Sequence, residues 1–247
     1  MTVSIMQPTY FPWGGYFDLI DQADTFVFLE DVEFNDRSWQ QRNRIRTPGG
    51  LQWLTVPVRK SGRSGQLISE VEIVTDGREF PEKHLKALEF NYSHAGHFDP
   101  YFDELEEVIT GAASEGKLSL LNERIIDWLA QKGGLSSNFR HSSSLSASGS
   151  KAELLAAICD ELGADTYLSP MGSLDYLENS AGKFYDKGID LRFQNFEHPA
   201  YEQQFDGFES HASAVDLLLN KGEEFLRILR SGRGKPYSLE EAVSHTE

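Results

Sequence analysis

Val3-Ser4-Ile5-Met6, a breaker-rich passage Gln7-Pro8-Thr9-Tyr10-Phe11-Pro12-Trp13-Gly14-Gly15, and then Thr25-Phe26-Val27-Phe28-Leu29 together decide the fold. Both apolar runs are short, rich in β-branched or aromatic residues, and bounded by turn formers, as buried strands are. Between them Tyr16, Leu19, Ile20 and Ala23 recur at helical spacing. Residues 2–31 therefore read as strand, loop, helix, strand. So short a helix between two buried strands favours parallel pairing through a right-handed crossover. The loop after the first strand then opens at the carboxyl edge of the sheet, where α/β proteins bind ligands.

Outward from this unit, Leu51 to Val58 and Gln66 to Val74 have strand character and predict a hairpin across the basic connection Arg59-Lys60-Ser61-Gly62-Arg63-Ser64-Gly65. Phe80 to Trp128 turns helical, with Pro81 at a helix start and breaks at Ala95-Gly96 and near Gly116, so three helices fit. The serine-rich stretch Ser136 to Ser150 reads as a linker or mobile ligand loop and as the best boundary candidate. Lys151–Leu162 is an amphipathic helix stopped at Gly163, Asp165–Ser169 and Ile189–Phe193 are strands, and Ala212–Asn220 and Glu223–Leu229 are helices. The expected architecture is α/β: a Rossmann-like, mostly parallel sheet with flanking helices and a helical insertion at 80–128. It forms one domain over 1–236, followed by a weakly anchored tail at 237–247.

Composition narrows the function. The chain has 247 residues, with 23 Lys+Arg against 39 Asp+Glu, a net charge of −16. That field repels polyanions, so broad attraction to nucleic acid or an anionic membrane is not expected. The lone Cys159 permits no internal disulfide, no apolar run is long enough to span a bilayer, and the start Met1-Thr2-Val3-Ser4-Ile5 does not look like an export signal. A cytoplasmic location is expected.

Against that acidic background, residues 37–63 carry Arg37, Arg42, Arg44, Arg46, Arg59, Lys60 and Arg63 and no carboxylate, a local charge of +7. Guanidinium forks suit phosphate or carboxylate, and Trp39 and Trp53 in the same window can stack on a base or sugar. The competing reading pairs these cations with surplus carboxylates elsewhere. The loop Gln7 to Tyr16, with Tyr10 and Trp13, lies just ahead of a helix N-terminus, where anions bind. In position it is similar to the first strand-to-helix turn of HIGH-type nucleotidyltransferases, but it lacks their histidine pair. No dinucleotide fingerprint, P-loop or serine-hydrolase elbow occurs, and Cys159 suits an inert packing thiol.

Glu30-Asp31 with Glu33, after a strand, can bind Mg²⁺, act as a base, or simply cap and turn the chain. His84 shares a helix face with Leu88 and Tyr92 and is a second choice of catalyst; His94 and His97 resemble half of a metal site without further ligands. No metal centre and no particular cofactor is assigned. His198, in His198-Pro199-Ala200-Tyr201 after a strand, is the first candidate for general acid/base work.

Three blocks in particular, Gln7-Pro8-Thr9-Tyr10-Phe11-Pro12-Trp13-Gly14-Gly15-Tyr16-Phe17-Asp18, Ser38-Trp39-Gln40-Gln41-Arg42-Asn43-Arg44-Ile45 and Leu54-Thr55-Val56-Pro57-Val58, resemble the WbqC-like protein family. The resemblance continues through Lys83-His84, Leu88, Tyr92, Tyr167-Leu168-Ser169, His198-Pro199-Ala200-Tyr201-Glu202-Gln203 and Ser213 to Asn220. It implies work in bacterial O-antigen and other surface-polysaccharide (lipopolysaccharide) pathways, whose phosphorylated intermediates are sugar nucleotides. The expectation is then an enzyme acting on a nucleotide-linked sugar by acyl or aminoacyl transfer to a sugar amine. Arg42, Arg44 and Lys60 would neutralise the diphosphate, Trp13 or Trp39 would stack, and Gln7, Tyr10, Tyr16, Asn43 and Tyr201 would complete the ligand site. His198 would take the amine proton, with His84 next in line. The alternatives are nucleotidyl transfer and a non-enzymatic partner of a polysaccharide assembly complex.

Overall fold

A computed structural model describes residues 1–75, 79–136 and 138–246. In chain order the elements are β1 (Thr2–Met6), α1 (Gly14–Gln22), β2 (Thr25–Phe28), β3 (Arg42–Thr47), β4 (Gly50–Thr55), α2 (Glu82–Tyr92), α3 (Asp99–Ser114) and α4 (Leu118–Lys132). There follow β5 (Asn138–His141), α5 (Ala152–Glu161), β6 (Thr166–Ser169), α6 (Leu174–Leu177), α7 (Gly182–Tyr185), β7 (Asp190–Phe193), α8 (Ala214–Lys221), α9 (Phe225–Ser231) and α10 (Leu239–Thr246).

β1 pairs in parallel with β2, from Val3 opposite Thr25 to Met6 opposite Phe28, and on its other side with β6, Thr2 opposite Thr166. The full order is β5-β2-β1-β6-β7, and every neighbouring pair is parallel. Counting only these five strands, the order is 3-2-1-4-5, with the direction of winding reversing between β1 and β6. The crevice beyond the carboxyl ends of those two strands is the fold's natural ligand position. Helices cover both faces. Side chains alternate across the sheet, so Phe26 and Phe28 enter one apolar cluster with Phe17, Tyr92, Leu129 and Phe225, while Val3, Ile5 and Val27 enter another with Leu155, Cys159, Tyr167 and Phe184. Cys159 sits wholly inside, and burial pushes its thiol up to about 12, so it is inert.

Three expectations change. Leu51 to Thr55 pairs chiefly with Arg42–Thr47 rather than with Gln66–Val74: Thr47 stands opposite Gly50 across a two-residue Pro48-Gly49 turn, and Gly50 has φ 105°. The arginine-rich β3 lacks the apolar alternation that marks a strand, and of the expected hairpin the bridge Val58 to Ile73 remains. The serine-rich stretch contains edge strand β5, and its Ser142 and Ser143 hydroxyls donate to Asp31 and Glu30 respectively. The expected tail carries α10, started by a reciprocal capping box in which the Ser238 N–H donates to Glu241 and the Glu241 N–H to Ser238. Its Ala242 is fully buried and Tyr237 pairs with Phe193. The three helices expected over 80–128 are α2, α3 and α4.

Candidate functional site

The loop after β1 is sewn to three distant segments. Tyr10 N–H donates to Trp39 O (2.9 Å), Asn43 Nδ2 to Phe11 O (2.8 Å), Gln40 Nε2 to Gln7 Oε1 (2.7 Å), and Asn122 Nδ2 to both Pro8 O (3.0 Å) and Gln40 O (2.8 Å). From the other direction Ala214 N–H donates to Pro12 O (2.7 Å) and Ser213 N–H to Arg44 O (2.9 Å). Loop, hairpin and the start of α8 thereby frame one cleft over the β1/β6 switch point.

The cleft has two adjoining pockets that share Met6, Thr9 and Trp39. One, of about 220 Å³, is completed by Trp13, Tyr16, Asn43, Arg44 and His211. The other, of about 300 Å³, includes Gln7, Leu29, Ser38, Leu155, Pro170 and Tyr176 and has no charged residue in its lining. Trp13 lies flat over Gly15, where a Cβ would sit 2.3 Å from its ring, and His211 stacks on Trp13 at 5.1 Å. The N-terminus of α1, which has no side-chain cap, begins beside this pocket and favours an anion there. Three non-glycine residues with positive φ flank the cleft: Phe11 (45°), Arg37 (56°) and His211 (61°). Such backbone costs about 1–3 kcal/mol per residue and gathers at ligand sites.

The basic window separates into spent and free cations. Arg59 and Arg63 pair with Glu72 (3.3 and 3.0 Å), Lys60 pairs with Asp36, and Arg46 donates to the Thr47 and Asp206 carbonyls (2.6 and 2.8 Å). Arg42 and Arg44 have no ion pair among the described residues. Arg42 lies over the Trp53 ring at 4.4 Å, and Arg44 sits 5.7 Å from Trp39 and 5.4 Å from Trp53. The two indoles, 49% and 42% exposed, pack on each other at 5.4 Å. Arg44 Nε is buried and has no hydrogen-bond partner.

The sequence-predicted residues divide accordingly. Gln7, Trp13, Tyr16, Trp39, Asn43 and Arg44 line the cleft, Arg42 stands beside it, and Lys60 lines a different depression with Gln41 and Thr55. Tyr10 is buried beneath, its hydroxyl 2.8 Å from His84 Nδ1. Tyr201 donates to Asp216 (2.7 Å) and is nearly enclosed. His198 packs against Trp13 at 6.0 Å and His211 at 5.5 Å, with Nδ1 3.2 Å from Pro199 O, so it stands behind His211 rather than in the lining. His211, which sequence reasoning passed over, reaches the pocket; an isolated exposed-looking histidine carries no periodic or motif signal.

Burial sets the histidine charges. His84 and His198 are both pulled down to about 4, first by desolvation, and His211 is lowered by desolvation and then by the Arg44 charge. A folded pKa below the unfolded value near 6.5 means stability that is present above about pH 6.5 and lost as pH falls through 4. For His84 that loss is on the order of 3 kcal/mol. His84→Gln should remove this titration and reduce by about one the protons taken up on unfolding at pH 5. Calorimetry in buffers of different ionisation enthalpy measures that number, and an unchanged uptake would contradict it.

Beyond the cleft, Glu30, Glu123 and His141 converge on one point at the carboxyl ends of β2 and β5, each offering one potential metal-ligating atom. Burial and then Glu30 push Glu123 up to about 8.

Comparison with known proteins adds the relatives. The model of the WbqC-like protein family matches residues 7–228. A protein of Mycobacterium tuberculosis (strain ATCC 25618 / H37Rv), described as "Uncharacterized protein Rv1507c", is 37% identical over 231 residues, covering 92% of this chain and 97% of its own length. None of the helices among the described residues is long and apolar enough to cross a membrane.

Proposed function

From the premise that this chain belongs to the WbqC-like protein family, we propose that it binds a sugar nucleotide in the cleft and modifies the sugar during synthesis of a bacterial surface polysaccharide. The observation that carries this reading is Arg44: a cation without a carboxylate partner among the described residues, in a chain of net charge −16, on the wall of a pocket lined by two indoles. The diphosphate would lie beside Arg44 near the α1 N-terminus, where forked guanidinium donors and the positive end of the helix dipole act on one anion. Trp39, half exposed, offers a stacking face, and the uncharged neighbouring pocket suits the sugar.

The chemistry proposed is acyl or aminoacyl transfer. The sugar amine attacks the carbonyl carbon of an activated acyl donor such as a thioester, the C–N bond forms, the bond to the leaving group breaks, and an imidazole takes the ammonium proton. His211 lines the pocket and fits that step, with His198 packed behind it at a tilted 5.5 Å. A second reading, nucleotidyl transfer, draws support from the 3-2-1-4-5 order and from His211 and His198 standing beside the loop after β1, where the sequence has no histidine.

Thermal unfolding in the presence of UDP- and dTDP-sugars, or of ATP with Mg²⁺, separates these. A ligand at a hundredfold its Kd adds about 2.7 kcal/mol, or roughly 5–10 °C for a chain of this size. Stabilisation by a sugar nucleotide and not by ATP is the expected result. Response to ATP with Mg²⁺ alone transfers the case to nucleotidyl transfer, and no response to either favours the non-enzymatic partner.

A further inference from the structure

Glu30 lies two residues beyond β2, His141 closes β5, and Glu123 sits within α4. These separate elements bring one ligand atom from each side chain within 4.8 Å of the other two. His141 Nδ1 lies 3.2 Å from Glu30 Oε1 and 3.8 Å from Glu123 Oε2. The carboxylates are almost out of water, with side chains 10% and 11% exposed. Two buried carboxylates side by side repel each other and forfeit hydration, so such a pair needs compensation. The compensation from protein is incomplete. Ser143 Oγ donates to Glu30 Oε1 at 2.6 Å, whereas Glu123 Oε1 is buried with no hydrogen-bond partner. Buried Asp18 and Asp216, by contrast, each hold three side-chain donors: Gln22, Gln194 and Arg233 on the first, Tyr92, Tyr201 and Gln203 on the second.

We propose that Glu30, Glu123 and His141 form a binding site for a divalent cation of the zinc or manganese class. One imidazole with two carboxylates is a donor set suited to these ions, while an all-oxygen shell would suit Mg²⁺ or Ca²⁺. Ligands held at about 2.0–2.2 Å in a tetrahedron stand roughly 3.3–3.6 Å apart, and the 3.2 and 3.8 Å separations bracket that edge. Ser143 fixes the Glu30 carboxylate, the kind of outer contact that orients metal ligands. Access is open as well: a depression of about 340 Å³ lined by Glu123, Asp127, Phe139 and His141 leads to the cluster. The sequence shows Glu30 with Asp31 and Glu33 and cannot show this partnership, because the other two ligands lie 93 and 111 positions away.

The test uses the full chain, stripped of metal by a chelator and titrated with Zn²⁺ and, separately, Mn²⁺ by calorimetry, with Co²⁺ absorption as a spectroscopic readout. One equivalent should bind, about tenfold or more weakly in His141→Ala and in Glu30→Gln. His141 is half exposed, so its alanine variant keeps the fold even if the Glu30 variant does not. A double change, His94→Ala with His97→Ala, should leave binding intact. Absence of stoichiometric binding by the wild type, survival of binding in His141→Ala, or its loss in the His94/His97 variant would each overturn the proposal.

Discussion

Asp216→Ala is expected to lower the unfolding free energy by about 3–5 kcal/mol, the cost of breaking a buried charged network on one side only. The Asp216 carboxylate is wholly buried; Oδ1 accepts from the Tyr201 hydroxyl (2.7 Å) and Gln203 Nε2 (2.9 Å), and Oδ2 accepts from the Tyr92 hydroxyl (2.8 Å). Tyr92 in turn accepts from the Arg46 backbone N–H at 2.9 Å. Alanine would strand three donors where water does not reach. Asparagine should cost less, since its carbonyl oxygen still accepts from two of them. Urea unfolding followed by circular dichroism gives the comparison; an alanine variant within about 1 kcal/mol of wild type would show that the network contributes little. The hub joins α2, the 201–203 segment, α8 and the β3 backbone, so its loss should also loosen the Ser213–Arg44 seam that places His211.

Arg44→Ala should weaken sugar-nucleotide binding by about 1.5–3 kcal/mol, roughly 10- to 150-fold, as for a charge-assisted contact in a partly desolvated site. Stability should move by less than about 0.5 kcal/mol, because no carboxylate among the described residues relies on Arg44 and its guanidinium rests on exposed indoles. Lys60→Ala is the matched control: its ammonium is engaged by Asp36 and borders another depression, so affinity should change by less than about threefold. Titration calorimetry on both variants with the nucleotide found by thermal unfolding decides the point. Equal losses in the two would mean that the field of the whole window matters and that Arg44 has no special place.

What the sequence discloses about this molecule follows from where burial is one-sided. β1, α1 and β2 are legible because both strands are enclosed and the helix has one apolar face, and from them the cleft's position follows. β3 and β5 hide because they are polar. Arg42 and Arg44 project to one side of β3 while Asn43 and Ile45 bury the other, and β5 is a four-residue edge strand, Asn-Phe-Arg-His. The signal for α10 is Ser238-Leu239-Glu240-Glu241, a capping box that stands out little because the residues around it lack a broad apolar stripe. The charge window marked the right neighbourhood, yet charge alone does not tell Arg59 and Arg63, which pair with Glu72, from Arg44. Nor does a helical face distinguish a ligand residue from a pillar. His84 lies on such a face, yet it and Tyr201 brace Tyr10 and Asp216 from inside.

α1 carries the enclosed carboxylates Asp18 and Asp21, whose cationic partners lie some two hundred residues further along the chain. Arg233 Nε donates to Asp18 (2.6 Å), Arg230 grips Asp21 with two donors at 2.8 Å each, and Arg233 also reaches Asp21. Gln194 adds donors to Asp18 (2.7 Å) and to the Gly15 carbonyl (2.8 Å). During synthesis, then, the first helix is complete long before anything can neutralise it. Its two carboxylates stay hydrated, and the helix loosely seated, until more than two hundred further residues have left the ribosome. Closure of this clasp joins segments about two hundred residues apart, and contacts of such sequence separation form slowly. Nascent chains stalled before residue 230 should leave α1 open to proteolysis, and release of the last few helices should protect it at once.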